Sequence, residues 1–180
     1  MNRSSRRMAV SGMMVALGTA VMLLGGVIPV ATFCCPAVAG LVLLPLVFDC
    51  TRAHALSAWA AIGLLSLMLC PDKEAALLFV FLGWYPVMKW WIDARLRRRW
   101  LRRALKLVMW NAALAAMYAI IFYVLRLDQV LADYQSMTRA MAVAMAVLGN
   151  LTLALYDIVL VRFAALYIRR IRPKLFGRAG

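Results

Sequence analysis

Two charged side chains sit inside apolar runs, and their chemistry is the first thing to settle. Lys89 lies in FVFLGWYPVMKWWID and Asp157 in LTLALYDIVLVRF. A charge at membrane depth is costly, so it faces protein and finds a partner. Lys89 stands four residues before Asp93, and Asp157 five before Arg162. At about 1.5 Å of rise per helical residue, both fall roughly 6–8 Å inside the same membrane boundary. Equal depth predicts an intramembrane ion pair between Lys89 and Asp157. Asp93 competes for Lys89 through the i, i+4 relation, and Arg162 competes for Asp157. The pair serves either as a brace between two helices or as a substrate or coupling site.

Tyr85, Tyr118, Tyr123 and Asn150 are the candidate substrate-binding residues, with Asn111 nearby. Tyr85 precedes Pro86, which removes a backbone donor, bends the helix and frees carbonyls that must face protein or a wet cavity. These polar groups either line a small-molecule pocket or make hydrogen bonds between helices.

Catalysis finds little support, and no catalytic residue is assigned. The chain holds no HExxH, no GxSxG and no glycine-rich phosphate loop. Asp49, Arg52 and His54 cluster in one short segment and are the only residues on which an enzyme reading could rest. A single histidine and four cysteines (Cys34, Cys35, Cys50 and Cys70) without a CxxC pair leave no metal site and no cofactor. Adjacent Cys34 and Cys35 are poorly placed to bridge each other. The cysteines read as small apolar residues.

These residues must be carried by membrane helices. Of 180 residues, 66% are hydrophobic and 16% charged, against about half apolar in a soluble domain. The apolar runs show no alternation, which excludes barrel strands. The reading is an all-α polytopic membrane protein, a six-transmembrane-helix bundle forming one integral membrane domain over 1–180. The expected spans are 8–28, 31–48, 53–70, 75–92, 104–125 and 138–168. Pro36 and Pro45 fall in the second span. The N-terminal run is too long for a cleaved signal peptide and is taken as the first span.

The net charge of +14 follows the positive-inside rule rather than a nucleic-acid interface, since no nucleic-acid motif accompanies it. Arg3, Arg6, Arg7, Arg52, the block Arg95–Lys106, and Arg169–Arg178 all fall on one side of a six-span chain. Both termini are therefore expected in the cytoplasm, in a bacterial cytoplasmic membrane. Trp90, Trp91 and Trp100 mark that interface. Asp93–Lys106 is expected to form a short interfacial helix held by membrane lipids. Small residues recur every four positions at Gly12, Ala16 and Ala20, at Ala112/Ala116 and Ala115/Ala119, and at Ala142/Ala146. Such stripes let helix backbones approach, either inside the bundle or on a partner subunit.

Four segments together resemble the substrate-binding S components of energy-coupling factor (ECF) transporters: ALGTAVMLLGGVIP, ATFCCPAVAGLVLLP, LSLMLCPDKEAALLFVFLGWYPVMK and GNLTLALYDIVLVRFAALYIRRIRPKL. The likeness spans nearly the whole chain. It implies a six-helix bundle binding a small molecule in its outer half. It also implies a transmembrane coupling subunit and cytoplasmic ATPases as partners. The family's AxxxA docking motif in helix one matches Ala16 and Ala20, with Gly12 one turn earlier. Val30–Pro36 would correspond to the loop that covers the site. The alternative is a non-transporting membrane scaffold or lipid-associated accessory protein.

Overall fold

The computed structural model describes residues 3–25, 32, 34–120 and 138–173. Helices form throughout, and no strand occurs among the described residues. They are α1 (Arg3–Gly25), α2 (Cys34–Val42), α3 (Leu44–Asp49), α4 (Arg52–Leu69), α5 (Lys73–Leu82), α6 (Tyr85–Arg95), α7 (Arg99–Ile120) and α8 (Arg139–Leu166). A single wider turn, Tyr167–Ile171, extends α8.

Local chemistry sets the breaks. Thr51 caps α4 by accepting the His54 N–H. Asp72 caps α5 by accepting the Ala75 N–H at 3.1 Å. Between them, the Lys73 ammonium donates to the carbonyls of Leu67 (2.9 Å) and Cys70 (3.0 Å). A cation thus sits on the negative end of α4 and ties the α4–α5 turn together. Pro45 lies in the first turn of α3 and Pro86 in the first turn of α6, where a missing N–H costs nothing. Each proline splits one apolar run into two helices. At the second split, a Cβ on Gly83 would overlap the Phe79 carbonyl and ring, so glycine alone permits that close approach.

Among the described residues, four helices are long and apolar enough to cross a membrane: Ser5–Gly25, Arg52–Leu69, the joined Lys73–Arg95, and Arg139–Arg170. Cys34–Asp49 is a shorter apolar helix. α7 carries Arg99, Arg102, Arg103 and Lys106 in its first two turns and is uncharged and mostly apolar beyond them. Met8, Met68, Val108 and Val143 are among many large apolar side chains that point outward. Such a surface suits lipid, which solvates apolar atoms, and not water. The protein is an all-α helical bundle of membrane type.

The α5–α6 unit is the spine. Inside the bundle lies 61% of an 18-residue apolar stretch of Lys73–Arg95, against 17% of the corresponding stretch of Arg139–Arg170. One apolar cluster joins α1, α2, α4 and α5 through Met22, Ala39, Ile62 and Phe79. A second joins α3, α6, α7 and α8 through Leu44, Tyr85, Trp110 and Leu160. Among the described residues, α8 is therefore gripped along one narrow stripe.

Two expectations are corrected. Asp93–Lys106 is not a separate interfacial helix. α6 runs to Arg95, residues 96–98 are non-helical, and Arg99 opens a helix that continues unbroken to Ile120. Arginine and leucine are good helix formers, and nothing between Arg99 and Lys106 interrupts them. The Val30–Pro36 segment is not all loop either. Cys34, Cys35 and Pro36 make the first turn of α2, with Pro36 buried. Its residues Val30, Ala31 and Phe33 lie outside the described ones.

Candidate functional site

The polar centre of the bundle lies between α6, α7 and α8. Tyr85 and Lys89 are one turn apart on α6, just after the Pro86 break, so they share one face. Both are buried, Lys89 to 1% exposure. Across from them on α8, one oxygen of Asp157 accepts from three donors. These are the Lys89 ammonium, the Tyr85 hydroxyl at 2.8 Å and the Lys106 ammonium at 3.4 Å. Lys89 also donates to the Asp157 main-chain carbonyl at 3.1 Å. Lys106, from α7, reaches both oxygens of Asp93 at 2.9 and 3.0 Å. Arg102 stands 3.9 Å from the same carboxylate.

The result is an alternating chain, Lys89–Asp157–Lys106–Asp93, whose four charges cancel. Alternation is what a low-dielectric interior requires, because each buried charge needs an opposite neighbour. Lys89 and Asp157 meet, as their common depth predicts. Asp93 turns to Lys106 rather than to Lys89, and Arg162 is exposed. Sequence reasoning missed Lys106, because it sits at the end of an arginine block that reads as a topology signal. The i, i+4 step from Lys106 to Trp110, a large apolar residue, was the available signal that this lysine faces inward.

An aromatic layer lies beside the ionic one. The Tyr85 ring meets Trp110 edge-on at 5.6 Å and Tyr156 at 6.1 Å between centroids. Tyr156 donates to the Ala37 carbonyl of α2 at 3.1 Å. It reaches that carbonyl only because residue 40 is glycine, since a Cβ there would overlap the tyrosine hydroxyl. The indole N–H groups of Trp90 and Trp110 are buried without a hydrogen-bond partner among the described residues. Tyr156 and Trp110 were also missed, as aromatic residues in apolar runs carry no distinguishing pattern.

The other predicted binding residues do not join Tyr85. Tyr118 packs by the Leu77, Leu78 and Met117 cluster between α5 and α7. Asn150 pairs with Asn111. Each amide donates to the other, at 2.8 and 3.3 Å, and each also donates to the carbonyl one turn back in its own helix. This is a closed bond between α7 and α8, with every amide proton used. Tyr123 lies outside the described residues.

The Asp49–Arg52–His54 cluster does not assemble. His54 pairs with the Thr51 hydroxyl at 2.6 Å. Asp49 instead accepts from the Tyr167 hydroxyl and from Arg172 Nε, the latter at 2.7 Å. In an α-helix, residues five apart point about 140° away from each other. The Arg172 N–H bonds the Tyr167 carbonyl, which widens the turn by one residue and brings both side chains to Asp49. Burial, the largest influence, pushes the neighbouring Cys50 thiol up, against an opposing pull from Arg7.

The small-residue stripe of α1 faces outward. Gly12, Ala16 and Ala20 are exposed, and an added Cβ on Gly12 would meet nothing within 4 Å. The bundle instead holds α1 by Gly18, Thr19 and Met22. Ala112, Ala115, Ala116 and Ala119 of α7 are exposed as well. No protein-family model, curated protein or solved structure matches this chain.

Proposed function

We propose that the protein is an S-component-like membrane subunit. In this reading it binds a small molecule for ATP-driven uptake and works with separate coupling and ATPase subunits. The observation that carries it is the outward stripe Gly12, Ala16 and Ala20, left unused by the bundle. Small residues on an exposed membrane face let another helix approach closely, which lipid alone does not require. The first segment quoted for the ECF likeness, ALGTAVMLLGGVIP, includes Ala16 and Ala20 of this stripe, and Gly12 lies one turn before it.

The chain then crosses a bacterial cytoplasmic membrane six times. Its second crossing is α2–α3 and its fourth α5–α6. Both termini and the arginine block lie in the cytoplasm. That arrangement is supported by the basic residues, which collect on one side only if there are six crossings.

The test is co-purification with an ECF coupling subunit, followed by mass spectrometry of any small molecule retained from the native membrane. Gly12→Leu, Ala16→Leu and Ala20→Leu should each abolish co-purification while leaving the isolated protein folded. Unchanged assembly in all three refutes the docking face. A second reading, a non-transporting scaffold, draws support from Tyr85 and Asn150. Their polar groups are satisfied within the protein. A protein that assembles with a membrane partner but retains no small molecule would favour it.

A further inference from the structure

We propose that the turn Arg98–Arg103 binds the headgroup of an anionic phospholipid. The proposal rests on the membrane character of the bundle and is independent of the transport reading.

The restart of the helix at Arg99 creates the site. Because residues 96–98 are non-helical, Arg98 is not carried round the helix away from its neighbours. Arg99 and Arg103 are one turn apart. Arg98, Arg99, Arg103 and Trp100 line one open depression. All four are exposed, Trp100 to 64%. A topology signal needs only basic residues on the correct side. It does not need three guanidinium groups gathered around a concavity.

Charge says what fits there. Asp93 is the nearest carboxylate along the sequence, and Lys106 and Arg102 already occupy it. Among the described residues, Arg98, Arg99 and Arg103 form no ion pair with any acid. An anion supplied from outside the protein would neutralise them. Guanidinium forks match phosphate oxygens in pairs, which favours a phosphate-bearing group.

Depth says where the anion comes from. Trp100, Leu107 and Val108 share one exposed face of α7. Beyond Arg103 that face carries Ala104, Leu107 and Val108, so it meets acyl chains, and the depression lies where this apolar stretch ends. A phosphate held there would have its chains running along α7, with the Trp100 indole at the boundary, where such rings settle.

The full-length protein in mild detergent, titrated with phosphatidylglycerol or phosphatidylcholine of equal chain length and read by native mass spectrometry, tests this. Phosphatidylglycerol should bind in preference. The Arg98→Gln/Arg99→Gln/Arg103→Gln variant should bind it about a hundredfold more weakly, since each surface arginine is worth about 1 kcal/mol against an anionic membrane and 1.4 kcal/mol is a decade. The charge-matched variant Arg52→Gln/Arg169→Gln/Arg170→Gln should bind as the parent does. Arg103→Lys keeps the charge, loses the fork and should bind at an intermediate level. Equal losses in the two triple variants would mean diffuse attraction and overturn the site, as would equal binding of the two lipids. Displacement by millimolar inorganic phosphate would overturn the lipid as its occupant.

Discussion

Neutralising the two ends of the Lys89–Asp157 contact should have unequal effects. Lys89 is 1% exposed, and its hydrogen-bond partners are Asp157 Oδ1 and the Asp157 main-chain carbonyl. In Asp157→Asn the ammonium stays buried with two neutral acceptors. Breaking a buried pair from one side costs 3–5 kcal/mol, and the two surviving acceptors put this case at about 3. In Lys89→Met the carboxylate keeps Tyr85 at 2.8 Å and Lys106 at 3.4 Å, and it is 33% exposed. The remaining charge is paired and partly solvated, so the loss is about 1 kcal/mol, the net worth of one hydrogen-bonded contact. The double variant removes both charges and should cost about 2 kcal/mol rather than the summed 4, a coupling within the range for residues in contact. Reversible unfolding of the purified protein in mixed micelles measures all four corners of the cycle. Additivity within about 0.5 kcal/mol would show that the two side chains do not interact. A Lys89→Met variant less stable than Asp157→Asn would refute the argument that Lys106 and Tyr85 support the carboxylate.

Gly40→Ala should destabilise the bundle by about 1–3 kcal/mol, the usual cost of overpacking. Its Cβ would overlap the Tyr156 hydroxyl, with Pro86 Cγ at 3.4 Å. Adding Tyr156→Phe should recover part of that loss, and thermal unfolding that shows no recovery would place the clash elsewhere. Sidedness can be read with a membrane-impermeant maleimide on intact cells. A variant keeping only exposed Cys34 should label from outside, while a cysteine-free variant carrying Arg97→Cys should label only after permeabilisation. Native Cys50 is a poor reporter, because burial raises its thiol and slows thiolate attack. Labelling of both positions from outside would refute the six-span arrangement.

Much of this protein is legible one residue at a time. Apolar runs without alternation mean membrane helices, because lipid offers backbone groups no other partner. Pro45 and Pro86 mark where two runs break, and their missing N–H groups are local facts. The same logic makes Lys89 and Asp157 partners, since depth follows from residue count along a helix. What the residues could not show is which face of each helix turns inward. Helices hydrophobic on all sides carry no amphipathic stripe to read. For that reason the outward direction of Gly12, Ala16 and Ala20, and the closed Asn111–Asn150 pair, appear only once helices are packed. The recruitment of Lys106 away from the arginine block is likewise a tertiary outcome. So is the pairing of Asp49 with Tyr167 and Arg172, which depends on a turn one residue wider than an α-helix. The sequence by itself determines that two charges fall inside apolar runs and how far each stands from the end of its run. Tertiary packing alone decides which opposite charge is waiting there, because a buried ion takes the partner that three helices bring within reach.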